Sequence, residues 1–113
     1  VSAMAGDGLT ALNGVLKVDG ASAPAVRVDG DDLTEGVNYF ANLSSNAAVS
    51  LPASPEAGDF VYVKAGNLTS GAKITINKGS DAHRIDGQES IKLENAFAAV
   101  TCVYVAANDW RIV

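Results

Sequence analysis

Four carboxylates fall within seven residues of this chain: Asp29, Asp31, Asp32 and Glu35, in the stretch "VDGDDLTEG". Carboxylates at that density suit a hard cation, because Ca2+ is bound by several oxygen ligands. A calcium loop of the helix–loop–helix kind needs oxygens at positions 1, 3, 5 and 12 and Gly at position 6. Counted from Asp29, position 3 is Asp31, but positions 5, 6 and 12 are Leu33, Thr34 and Phe40. The spacing predicts a solvated acidic turn and no metal site. Gly supplies positive φ and Asp caps or tolerates it, so the Asp-Gly pairs at 7–8, 19–20, 29–30 and 86–87 all read as turns.

Other candidate chemistries fail on spacing. His83 is the only histidine and Cys102 the only cysteine, so neither a zinc set nor an intramolecular disulfide can form from them. Cys102 sits in the apolar run "AAVTCVYVAA", which predicts a buried, inert thiol. His83 lies near Asp81 and Asp86, but no Gly-x-Ser-x-Gly elbow accompanies it, and "DAHRIDG" reads as a turn with a surface histidine. In "GNLTSGAK" (66–73), Ala72 separates the second Gly from Lys73, and a strand rather than a helix follows, so phosphate binding is not expected. Asn42-Leu43-Ser44 and Asn67-Leu68-Thr69 fit the glycosylation sequon, which matters only on a secretory route that nothing here supports. No catalytic residue and no cofactor is expected, and the chain does not read as an enzyme. Trp110 and Tyr62 are the candidates for stacking on a sugar, although a Trp in a terminal strand is more often part of the core or an interface.

The elements that would position these residues are strands. Short apolar-rich runs alternate with turn residues at the spacing of all-β folds. They are 14–18, 24–28, 37–43, 47–51, 59–65, 73–77, 90–93, 98–106 and 110–113. In "KITIN", Ile74 and Ile76 are expected inward and Lys73, Thr75 and Asn77 outward. In "DFVYVKA", Phe60, Tyr62 and Lys64 share one face, and Val61 and Val63 the other. "AAVTCVYVA" is apolar on both faces apart from Thr101 and is expected to be covered on both sides. The "AAND" link predicts a closing hairpin onto "WRIV". One helical turn is expected near 53–57, with Pro55 in its first turn.

The chain has 113 residues and a formal net charge of −5, which argues against a nucleic-acid surface or a polybasic membrane patch. No stretch approaches the roughly 20 apolar residues of a membrane span. Residues 1–36 carry six acids and two bases, whereas the rest is nearly neutral. That asymmetry predicts an extended acidic N-terminal arm or linker with short strands over 1–36 and a β-sandwich domain over 37–113. "VSAMAGDG" lacks the basic and apolar regions of a signal peptide, and a chain opening on Val1 is expected to be processed or part of something longer. Nineteen of the hydrophobic residues are Ala and only seven residues are aromatic. Small side chains bury little area each, which favours an oligomer. Its expected contact residues are Val61, Val63, Val103 and Val105.

Residues 49–113 resemble a module of tailed-bacteriophage virion proteins, mainly tail fibres and related appendages. The resemblance rests on an apolar-x-Leu-Pro strand (Val49–Pro52), Gly58–Asp59 before a second strand and Ile74–Ile76. It continues through the Ile85–Gly87 turn and a final apolar strand leading to Trp110. "GDGLTALNGVLKVDG" (6–20) is similar to the link that precedes such modules. The resemblance implies a virion structural protein on the particle exterior, a homotrimer touching other virion proteins and contributing to host attachment, with host surface glycan a possible ligand. A capsid decoration protein, with the 1–36 arm laid along the shell, and a carbohydrate-binding module are the alternatives. The fold class expected is all-β, a small antiparallel β-sandwich of jelly-roll type with an extended N-terminal arm.

Overall fold

A computed structural model describes residues 24–113. Nine strands and no helix occur among these residues: β1 (Ala25–Arg27), β2 (Gly36–Phe40), β3 (Ala47–Ser50), β4 (Phe60–Lys64), β5 (Ile74–Asn77), β6 (Arg84–Ile85), β7 (Ser90–Leu93), β8 (Ala99–Ala106) and β9 (Asp109–Ile112). They form two sheets. The larger has the order β1-β2-β4-β8-β9-β6, and the smaller β3-β5-β7.

The all-β, two-sheet expectation holds, but the antiparallel jelly-roll expectation does not. Four of the seven ladders are parallel: β1/β2, β2/β4, β3/β5 and β6/β9. The reason lies in the connections. After β2 the chain crosses to the second sheet as β3, then returns as β4, so β4 enters beside β2 in the same direction. A parallel pair needs a crossover, and here a strand of the opposite sheet provides it. The chain therefore winds as a coil. Leu43 bridges Leu68 at one corner, twenty-five positions on, and Ala47 pairs with Ile74. The second coil takes its extra residues at Ser70 and Gly71, both at positive φ, in a turn closed by Ala72 N–H to the Thr69 carbonyl. A shorter coil precedes these, with β1 against β2 and Asp32 bridging Ser50. At the far side β7 and β8 run back antiparallel to β5 and β4; β7 ends the small sheet, and β9 and β6 follow β8 in the large one.

The core lies between the sheets. Val61, Val63, Ile74, Ile76, Ile85, Cys102 and Trp110 have no exposed surface, with Leu33, Phe40, Val49 and Leu51 beside them. Each Val or Ile so buried contributes about 1.5–3 kcal/mol. Alternation in β5 is as the sequence predicts. In β8 only Cys102 is fully buried, and Ala99, Val105 and Ala106 are exposed. The strand expected to be covered on both sides is covered on one.

One local expectation also changes. No helical turn forms at 53–57. Instead Asp59 Oδ2 accepts from Glu56 N–H at 2.9 Å and Asp59 N–H donates back to the Glu56 carbonyl, which makes a turn over 56–59. Within the expected arm, with its short strands, β1 pairs with β2. Residues 1–23 of the arm, including the first Val-Asp-Gly (Val18–Gly20), lie outside the described residues. The closing hairpin is present, with the link shorter than expected. Ala106 and Asp109 belong to the strands, and Ala107 and Asn108 alone make the turn at φ 50° and 70°. Two left-handed residues are what a type I′ turn demands.

Close coil stacking leaves no room for a side chain at two corners. A Cβ on Gly66 would stand 2.8 Å from the Phe40 and Ala41 carbonyl oxygens, and one on Gly79 would press into the Leu51 carbonyl and lie 2.6 Å from that of Pro52. Gly66→Ala and Gly79→Ala are each expected to lower unfolding free energy by about 3 kcal/mol or more in urea titrations. Gly71→Ala, in open space, should cost nearer 1 kcal/mol. Ala107→Asn combined with Asn108→Gly supplies the favoured type I′ pair and should stabilise by about 1 kcal/mol.

Candidate functional site

The acidic loop is built into the coil. Asp29 Oδ1 accepts from Ala48 N–H at 2.8 Å, and Gly30 N–H donates to the Ala48 carbonyl at 2.8 Å. Asp31 Oδ2 accepts from Val28 N–H at 2.9 Å, across a turn in which Gly30 sits at φ 90°. Leu33 N–H donates to Ser50 and Ser50 N–H to Asp31, so the loop satisfies the outer edge of β3. Asp32 and Glu35 are exposed. Turn and capping chemistry thus accounts for the positions of Asp29 and Asp31.

The same device recurs one coil later. Asn42 Oδ1 accepts from Asn67 N–H and Asn46 Oδ1 from Lys73 N–H, both at 3.0 Å. The two sequon-like tripeptides are in fact the stacked corners of successive coils. "ANLSS" (41–45) and "GNLTS" (66–70) are an internal repeat, and its spacing of twenty-five was the signal for a parallel coil.

Asn38 ties three coils together. It is fully buried, and its Oδ1 accepts from Arg27 Nε at 2.9 Å and Thr34 N–H at 3.2 Å. Its Nδ2 donates to the carbonyls of Thr34 at 2.8 Å, Gly36 at 3.2 Å and Tyr62 at 3.3 Å. A buried amide with both ends engaged is stabilising only as long as every partner stays.

His83 is not at the surface. It is 5 % exposed, packs on Tyr104 with ring centroids 5.5 Å apart, and its Nδ1 has no hydrogen-bond partner. Tyr104 in turn meets Trp110 edge-on at 5.3 Å, and its hydroxyl accepts from Asn108 N–H at 2.8 Å. Trp110 has no exposed surface, so it cannot serve as the stacking platform its type suggested. Cys102 is buried as expected. Burial, and secondarily the Asp86 charge, push its thiol from 9.0 up to about 11.

An open depression of about 410 Å³ is lined by Asp86, Gly87, Asp109 and Arg111. Its charges are already engaged. Arg111 Nη2 lies 2.7 Å from Asp109 Oδ2, with Nε donating to the same oxygen at 2.8 Å, and Asp86 Oδ1 accepts from Ile112 N–H at 3.2 Å. Asp109 holds the Arg111 guanidinium in its charged form, above its usual range.

The outward face of the large sheet is the main apolar surface. Val37, Tyr39, Phe60 and Val105 are 38–44 % exposed and Val26 is 52 % exposed. Tyr62 and Val103 are half-buried on the same face. Val61 and Val63, expected at an oligomer contact, point the other way and fill the core. Lys64 is the reason the strand sits this way round, since it shares a face with Phe60 and Tyr62 and cannot be placed between the sheets without a partner. Of the four expected contact residues, Val103 and Val105 remain outward, and the sequence reading missed Val26, Val37, Tyr39 and Phe60.

Comparison with known proteins adds no relative. The chain matches no family model, and no curated protein matches it.

Asp29→Ala should lower unfolding free energy by about 1 kcal/mol, while Asp29→Asn, which keeps the acceptor oxygen, should cost less. Calcium and chelator should leave the melting temperature of both unchanged. Asn38→Leu should cost about 3 kcal/mol or more. For Cys102, the thiol is raised in the folded protein, so the unfolded chain loses its proton first as pH rises. Stability is full below about pH 9 and should fall between about 9 and 11. A pH series of chemical melts should show this fall, and Cys102→Ala should remove it.

Proposed function

We propose that this chain is a structural module of the exterior of a tailed-bacteriophage particle, a fibre or appendage domain that works as a homotrimer beside other virion proteins and contributes surface for host attachment. The observation that carries the reading is where the motifs of the resemblance fall in the fold. Val49–Pro52 ends β3, Gly58–Asp59 turns into β4, and Ile74–Ile76 is β5. Ile85–Gly87 is the turn after β6, and Val100–Trp110 is the β8–β9 hairpin. These residues do corner and strand work, as a shared scaffold requires. The Asp and Asn side chains at the coil corners are engaged with main chain, which suits a part whose task is to hold shape.

A sugar-binding module is supported less well, because Trp110 lies in the core and offers no open ring face. Tyr62, half-buried on the sheet face, is the aromatic left to that reading.

Sedimentation equilibrium of the purified chain at micromolar concentration tests the proposal. A trimer is expected, and a monomer at every concentration would overturn the assembly it describes.

A further inference from the structure

We infer that Phe97 and the asparagines of its corner form a binding site for a neutral sugar, an inference that rests on the host-attachment part of the reading above.

Phe97 is held in a conformation that folding alone does not favour. It stands at φ 60° in a turn closed by Ala98 N–H to the Asn95 carbonyl at 3.1 Å. The other non-glycine residues at positive φ are Ser70, Asp86, Ala107 and Asn108, all small or suited to turns. A bulky side chain there is an outlier, because its Cβ crowds the main chain. The surroundings fix it from several sides. Phe97 N–H donates to the Gly66 carbonyl at 2.9 Å, and Ala65 N–H donates to the Ala98 carbonyl at 2.8 Å. Lys64 Nζ donates to the Phe97 carbonyl at 2.6 Å. Burial gives no reason for the ring. Phe97 is 58 % exposed, the most exposed aromatic among the described residues, and it is not one of the side chains packed on the core. Glycine would take this backbone without strain. An exposed, strained residue that its neighbours over-determine points to a contact made outside the fold. Phe97 was not singled out by the sequence, because only the fold shows its φ and its exposure.

The corner decides the chemistry. Gly66 receives the Phe97 N–H, and the next residue, Asn67, donates its own N–H to Asn42 Oδ1 at 3.0 Å. Three corners thus meet at the Phe97 backbone, and they bring Asn42, Asn67 and Asn95. Asn42 uses only Oδ1 in that bond, and Asn42 and Asn95 are exposed. A side-chain amide both donates and accepts, as a sugar hydroxyl does. A sugar ring has an apolar C–H face and a rim of hydroxyls, so an aromatic ring with a few amides around it complements both. Charge points the same way. Segments 41–46, 65–72 and 94–98 carry one ionisable side chain, Glu94, and the Lys64 ammonium is held by the Phe97 carbonyl. An anionic ligand finds no free cation in these segments, and an uncharged sugar needs none.

The test applies the labelled full-length chain to a printed array of neutral, sialylated and phosphorylated oligosaccharides. Wild type should bind neutral members, and Phe97→Gly and Phe97→Ala should weaken that binding at least about tenfold. Phe97→Gly should also melt no lower than wild type, since it relieves the strained φ. Wild type that ignores neutral members, binding confined to charged members, or binding that survives Phe97→Gly overturns the site. So does a Phe97→Gly chain that melts well below wild type, because the ring then belongs to the fold. Sedimentation of the same samples reads the assembly separately. A trimer that ignores neutral sugars removes this site and leaves the trimeric reading, whereas a monomer that binds them through Phe97 keeps the site and removes the trimer.

Discussion

Everything in this fold depends on successive coils of backbone lying in register. The β2/β4 and β3/β5 ladders require the chain to leave one sheet, cross the other and come back one strand-width along. That is possible only if the corners repeat. Asn38 is where this constraint is most concentrated. One buried amide takes an acceptor or donor role toward Arg27, Thr34, Gly36 and Tyr62, and so spans the short first coil and the two that follow. The corners do the same work at the rim. Asp29, Asn42 and Asn46 each reach across to a main-chain N–H of the adjoining coil. These interactions matter more than the surface ion pairs. Glu89 approaches Lys78 and Arg84 only at 3.8 Å and is largely exposed, a geometry that contributes about 0–1 kcal/mol.

The division between polar corners and apolar strands explains what the sequence made legible. Strand period is a local property. Ile74 and Ile76, the hairpin before Trp110 and the buried Cys102 could all be read from a few neighbouring residues. Strand direction is not local. "ANLSS" and "GNLTS" carried it, but only as a pair twenty-five residues apart, and each alone looks like a chance sequon. The choice of face in β4 was legible in principle from Lys64, because its charge outweighs the equal hydrophobicity of the two sides.

Burial of single residues was the hardest to read. His83 sits in "DAHRIDG", among polar and turn residues, yet the fold lays its ring on Tyr104. Trp110 reads either as a core ring or as a stacking platform, and the choice is made only by the fold, in which β9 is inserted between β8 and β6 and the ring closes the core. Neither environment exists until distant strands meet. The acidic loop shows the converse case. Its composition suggested an ion, and its geometry spends the charges of Asp29 and Asp31 on main-chain donors.

The stacked corners also bear on how such a molecule can change size. Because Leu43 sits over Leu68 and Ala47 over Ile74, one whole circuit of chain is an interchangeable unit. Gaining or losing one circuit would alter the reach of the molecule while leaving its cross-section, and the partners of its returning strands, as they are. Partial insertions fit only where they loop out at a corner, as Ser70 and Gly71 do between Leu68 and Ile74. Length in this architecture is therefore counted in steps, and sequence drift is tolerated most where it respects the step.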